Sequence, residues 1–96
     1  MLLQIIKLKS NLSEEELLNK AHEREPQFKA TPGLLQKYYV KTSEPGQYGG
    51  IYVWESPEAL QAYRESDLAK SIPEAYEISE PPSIEIMDIL FHLRDS

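Results

Sequence analysis

The segment Leu2-Leu3-Gln4-Ile5-Ile6-Lys7-Leu8-Lys9 carries large apolar residues on both of its alternating sides. A strand with one face in water alternates apolar with polar residues, whereas a strand apolar on both sides is covered twice. Tyr38-Tyr39, Ile51-Tyr52, Val53-Trp54 and Ile86-Met87 repeat the pattern in three later segments. Any sheet built from them must be packed on both faces. A bare face of this kind would exceed the roughly 300–600 Å² apolar patch that a monomer usually tolerates. Helices of the same chain can cover one face, and a second copy of the chain is the simplest cover for the other. A homodimer packed sheet to sheet is therefore expected.

The remaining elements follow from local signals. Ser13-Glu14-Glu15-Glu16 is a capping box that opens a helix, with three carboxylates at its positive end. Leu17, Leu18, Ala21 and Phe28 fall near one helical face, and Pro26 is expected to bend or end the helix near Glu25. Thr31-Pro32-Gly33 is a turn, Leu34 to Thr42 a strand, and Pro45-Gly46 the centre of a type II turn. Gly49-Gly50-Ile51-Tyr52-Val53-Trp54 is the third strand, its glycines marking a bulge or a close backbone approach. Ser56-Pro57-Glu58 starts a second helix, with Ala59, Leu60 and Tyr63 inward. Ser66-Asp67 opens a short turn through Ile72, and 73–82 reads as a proline-broken loop into which Tyr76 and Ile78 tuck back. A long final strand is expected over Ser83 to Leu93. The order βαββαβ in one 96-residue domain predicts an α+β, ferredoxin-like fold. It has a four-stranded antiparallel sheet with two helices on one face.

Composition excludes several classes of function. With no cysteine, the chain has no disulfide, no thiolate nucleophile and no zinc finger. A net charge of −6 and scattered bases speak against nucleic acid and against an anionic membrane surface. Five of the sixteen acids fall in 13–25 and seven in 55–80, which reads as solvated helix faces. No apolar run approaches the ~18 residues of a membrane span, and no signal-peptide pattern opens the chain, so the cytoplasm is the expected compartment. No phosphate loop, dinucleotide turn, Ser-His-Asp spacing or calcium loop occurs, and neither metal nor cofactor is expected.

Pro32-Gly33-Leu34, Lys37, Thr42-Ser43-Glu44, Gly49 to Trp54, Ala62-Tyr63 and Met87-Asp88-Ile89 together resemble the YdhR-type monooxygenases. That family belongs to the dimeric α+β barrel superfamily, with the antibiotic-biosynthesis monooxygenases. The resemblance covers roughly residues 30–90 and is densest over 31–63, while the first helix with its Pro26 matches poorly. It implies a homodimer with facing sheets and a ligand cleft in each subunit between helices and sheet. It also implies an oxygenase that uses no metal or flavin, acting on a small hydrophobic or aromatic metabolite. The alternative is a non-catalytic dimeric protein of the same fold that binds a small molecule or serves a stress response.

Such chemistry asks for an apolar cleft, aromatic walls and a titratable group. Tyr52 and Trp54 share a strand face, and they line the cleft if that face meets the helices or the dimer core if it meets the partner. By the same parity Tyr38 goes with Gln36 and Val40, and Tyr39 with Lys37 and Lys41. Leu18 and Phe28 would close the cleft from the first helix. His22 stands one turn after Leu18 and is the candidate base, its plain reading being a surface histidine among Glu23, Arg24 and Glu25. His92 reads as a surface residue. Asp88 shares its parity with Ile84, Ile86 and Leu90, so it is either a catalytic base or a bonded interface carboxylate.

Overall fold

In the computed structural model, which describes residues 1–94, the chain runs β1 (Leu2–Lys9), α1 (Glu14–Lys29), β2 (Leu34–Lys41), β3 (Gln47–Trp54), α2 (Pro57–Arg64), α3 (Asp67–Lys70), α4 (Ile72–Ala75) and β4 (Ser83–Asp88). One antiparallel sheet has the order β2-β3-β1-β4. This is the ferredoxin-like α+β arrangement expected from the element order.

Register assigns the faces. Leu2, Gln4 and Ile6 lie opposite Trp54, Tyr52 and Gly50, and opposite Asp88, Ile86 and Ile84. The β1 and β3 members of this set meet the helices, whereas those of β4 stay exposed at the edge of the sheet. Leu2, Ile6, Phe28, Tyr52, Trp54, Leu60 and Tyr63 are buried together. A smaller cluster of Leu17, Ala21 and Tyr76 lies beneath the start of α1. The other face carries Leu3, Ile5, Ile51 and Val53, with Tyr38, Val40 and Met87 exposed beside them. The helices leave that face open.

Three details depart from the sequence reading. Helix α1 passes through Pro26 and ends at Lys29. A mid-helix proline costs about 3 kcal/mol. Burial of Phe28 in the next turn returns roughly 1.5–3 kcal/mol. The last turn is also tied down, with Thr31 donating its hydroxyl to Gln27 O at 2.9 Å and Ala30 its N–H to Pro26 O at 3.1 Å. Second, the expected loop begins with a helical turn, α4, because Pro73 sits near its N-terminus, where a missing N–H goes unnoticed. The chain after α4 is then pinned to the end of β1 by an isolated Ser10–Ile78 bridge, Asn11 N–H to Glu77 O at 3.2 Å and the Ser10 hydroxyl on Tyr76 O. Third, β4 stops at Asp88 and does not reach Leu93. Among the described residues its one strand neighbour is β1, whose first residue Leu2 pairs with Asp88, and the last bond of the ladder is Ile89 N–H to Met1 O. Leu90, Phe91 and Leu93 consequently stand 80–90 % exposed. The register shift in the sheet falls between Leu34 and Gln36 on β2, and of the two readings of the glycine pair, bulge or close approach, the second holds.

Gly49 and Gly50 are close approaches. A Cβ on Gly49 would lie 2.4 Å from Ile6 O, and one on Gly50 2.9 Å from the Tyr52 ring. Gly46 takes φ +77°, the left-handed position a type II Pro-Gly turn requires.

Candidate functional site

The two buried clusters do not quite meet, and the seam between them is a cavity of about 40 Å³. Ile6 and Tyr52 line it from the larger cluster, Leu17 and Tyr76 from the smaller, with Gly49 and Gly50 as floor and Lys37 and Tyr39 from β2. The floor is bare because Gly50 has no side chain beneath the Tyr52 ring. Outside it lies a recess of about 200 Å³ lined by Leu18, Val40 and Lys41 among others. Leu17, Tyr39, Tyr48 and Gly49 belong to both hollows, so they stand between the outer recess and the inner cavity.

Pairing of β2 with β3 sets Lys37 opposite Tyr52 and Tyr39 opposite Gly50, which turns both side chains toward the helices. The Lys37 ammonium then sits 3.3 Å from the centre of the Phe28 ring, 4.4 Å from that of Tyr39 and 4.6 Å from that of Tyr52. No carboxylate pairs with it among the described residues. Burial, with help from the Arg24 guanidinium, lowers its pKa from 10.5 to about 7. The three ring faces act in the opposite sense, since their quadrupoles attract the cation. The result is an amine poised between its two forms near neutrality.

Arg24 braces the other side of Phe28. Its Cζ lies 5.9 Å from the Phe28 ring and 5.7 Å from that of Tyr76, and its Nη2 donates to Ser71 Oγ at 2.8 Å and Leu68 O at 3.2 Å. Burial raises the phenol pKa values of Tyr39 (to about 12), Tyr52, Tyr63 and Tyr76, so these walls stay neutral and can donate hydrogen bonds. The hydroxyls of Tyr63 and Tyr76 are buried without a partner among the described residues. Buried polar atoms are nearly always bonded, and of these two donors Tyr76 lines the cavity, where its hydroxyl can serve a bound molecule.

The residues singled out in the sequence are dispersed. Phe28 and Tyr52 come together around the amine, and Leu18 lines the outer recess at 41 % exposure. Trp54 is 0 % exposed; it stacks on the far side of Tyr52, ring centres 6.1 Å apart and 4° from parallel, and donates Nε1–H to Gln4 Oε1 at 2.9 Å. It belongs to neither a cleft wall nor an outer interface. His22 points to solvent on the outside of α1, 3.2 Å from Glu25 Oε1, away from the cavity. Asp88 has the parity expected of it, opposite Leu2, but β4 is an uncovered edge and the residue is exposed. His92 is exposed too, 3.4 Å from Met1 Sδ. Lys37, Tyr39, Tyr48, Tyr76 and Arg24 were not singled out as site residues. The shared parity of Lys37 and Tyr39 was the available signal, and only the β2–β3 register turns it into a location. No group of three or more metal-ligating side chains gathers among the described residues, and no helix there is long and apolar enough to cross a membrane.

The sequence profile described as Putative mono-oxygenase ydhR matches residues 2–81. The chain belongs to the ydhR family. All elements except β4 fall inside the matched span, and so does every residue lining the cavity. Solved structures of similar fold include a protein of unknown function from Nitrosomonas europaea, at 20% identity and TM-score 0.78, covering 99% of this chain and 94% of that one. A putative antibiotic biosynthesis monooxygenase from the same organism follows at 14% identity and TM-score 0.75, covering 95% and 100%. SnoaB, a cofactor-independent oxygenase from Streptomyces nogalater, superposes with TM-score 0.76 at 12% identity, covering 98% and 97%. At these identities the ydhR-family chain shares with them a monooxygenase-like fold. No curated protein matches the sequence.

Proposed function

We propose that the chain is a cofactor-independent monooxygenase that oxidises a small, acidic aromatic compound between α1 and the β2–β3 half of the sheet. The observation that carries this reading is the Lys37 amine, half-buried against the rings of Phe28, Tyr39 and Tyr52 with no carboxylate beside it among the described residues. A base titrating near 7 is matched to removing a proton from a phenol or an activated C–H at physiological pH. The ammonium so formed faces the substrate anion across a water-poor site, where the attraction is strongest.

An electron-rich carbanion of this kind reduces dioxygen directly. A C–O bond forms to give a hydroperoxide, which loses water to leave a carbonyl; the carbon exchanges two hydrogens for one oxygen, and the second oxygen leaves as water. The dimensions suit this division. The outer recess of about 200 Å³ has room for an aromatic ring, since a cavity of roughly 150 Å³ binds benzene. The inner cavity of about 40 Å³ suits a molecule the size of O2 or water.

Homodimerisation belongs to the same reading. The outer face of the sheet, with Leu3, Ile5, Ile51, Val53, Tyr38, Val40 and Met87, is what a second copy would cover.

Oxygen uptake with anthrones and hydroquinones tests the reaction. Turnover is expected from the native protein and not from Lys37→Met. Binding of these compounds without oxygen uptake would favour the non-catalytic ligand-binding alternative.

A further inference from the structure

Of the seven lysines, Lys9, Lys20 and Lys41 have carboxylate partners on the surface: Glu44 and Glu80 at 3.5 Å, Glu23 at 3.9 Å and Glu14 at 2.9 Å respectively. Lys37 instead ends against three aromatic rings at the wall of a cavity that shares Tyr39 and Tyr48 as lining with an outer recess. A primary amine in that setting can act as a nucleophile as well as a base.

We propose that Lys37 forms a reversible imine with small aromatic aldehydes that enter by the outer recess. The amine adds to the carbonyl carbon to give a carbinolamine, which then loses the former carbonyl oxygen as water, forming C=N. No oxidant or reductant is consumed. Tyr76 lines the same cavity, and its buried hydroxyl has no partner among the described residues, so it can donate a hydrogen bond to the carbonyl oxygen and then to the carbinolamine. The aromatic walls that hold the ammonium also suit the ring of the aldehyde. The charged and titratable groups packed around the amine are Arg24 on α1, Tyr39 on β2, Tyr48 and Tyr52 on β3, and Tyr76 after α4. None of these carries a negative charge near neutrality. Burial and the Arg24 cation therefore leave a large neutral fraction near pH 7, where a surface lysine is almost wholly protonated.

The inference rests on the same amine as the proposed oxygenase but not on its oxygen chemistry. Folded native protein is incubated near neutral pH with benzaldehyde and sodium cyanoborohydride, which reduces an imine to a stable benzylamine, and each amine is then followed by peptide mapping. Lys37 is expected to be labelled on the order of tenfold or more faster than Lys7 or Lys70. The Met1 α-amino group is scored on its own peptide. The preference for Lys37 over the surface lysines should vanish in urea. Labelling of Lys37 no faster than Lys70 in the folded protein would overturn the inference. Because labelling needs no turnover, absence of oxygen uptake with intact Lys37 selectivity would count against the oxygenase and not against the imine.

Discussion

Lys37 sits in an environment far from its ordinary one. The unfolded lysine holds its proton to about 10.5, whereas the folded one releases it near 7. Between those values the unfolded state binds more protons, so stability rises with pH through that window. The phenols act in the opposite direction: Tyr39 is pushed up to about 12 and Tyr52 is raised, so above about 10 the folded state holds more protons and stability falls. Urea midpoints should therefore climb from about pH 7 and pass through a maximum below about 10. Lys37→Met should remove the rising limb and stabilise the protein by about 1–2 kcal/mol below pH 7, after the lost ring contacts are allowed for. His22→Gln and Asp88→Asn, both exposed, are expected to stay within ~0.5 kcal/mol of the parent in the same measurement. At this scale the sequence was legible as parity and little more. It paired Lys37 with Tyr39 and Tyr52 with Trp54, but which rings surround the amine depends on an α1 residue nine positions upstream and a β3 residue fifteen downstream.

Among the elements, β3 is the one whose composition is dictated by neighbours on both sides. Gly49 lets β1 pass so closely that an added methyl would strike the Ile6 carbonyl, while Gly50 makes room for the packed Tyr52 ring. Gly49→Ala is expected to destabilise by about 3 kcal/mol and Gly50→Ala by somewhat less, about 1–2 kcal/mol, with the inner cavity partly filled in the latter. Thermal or urea unfolding of the two variants checks the order. Strands and helix starts were readable because caps, turns and apolar runs are local. The helix through Pro26 and the early end of β4 were not. One depends on what Phe28 gains by burial, and the other on where β1 happens to begin.

For the whole molecule, the open face of the sheet is the surface that the proposed homodimer would bury. Light scattering at micromolar concentration is expected to give about twice 11.1 kDa. The double substitution Tyr38→Glu, Val40→Lys alters only exposed positions on that face, so it should yield a folded monomer. A parent protein that is already monomeric would reject the two-sheet packing. The element order was legible from end to end because six local signals agreed on one topology. The cavity was not, since it is a gap between two clusters, and a gap leaves no mark on any single segment.

Trp54 gives this molecule its own optical reporter. It is the chain's single tryptophan, shielded from water on every side and held by one hydrogen bond to Gln4. Its emission should be blue-shifted in the native state and move to the red on unfolding, so every stability measurement above can be followed without a label. The Tyr52 ring that stacks on the indole also lines the cavity. A compound that displaces the Lys37 ammonium from that ring changes the field across the stack, and occupancy of the site becomes visible as a small spectral shift at constant folded population.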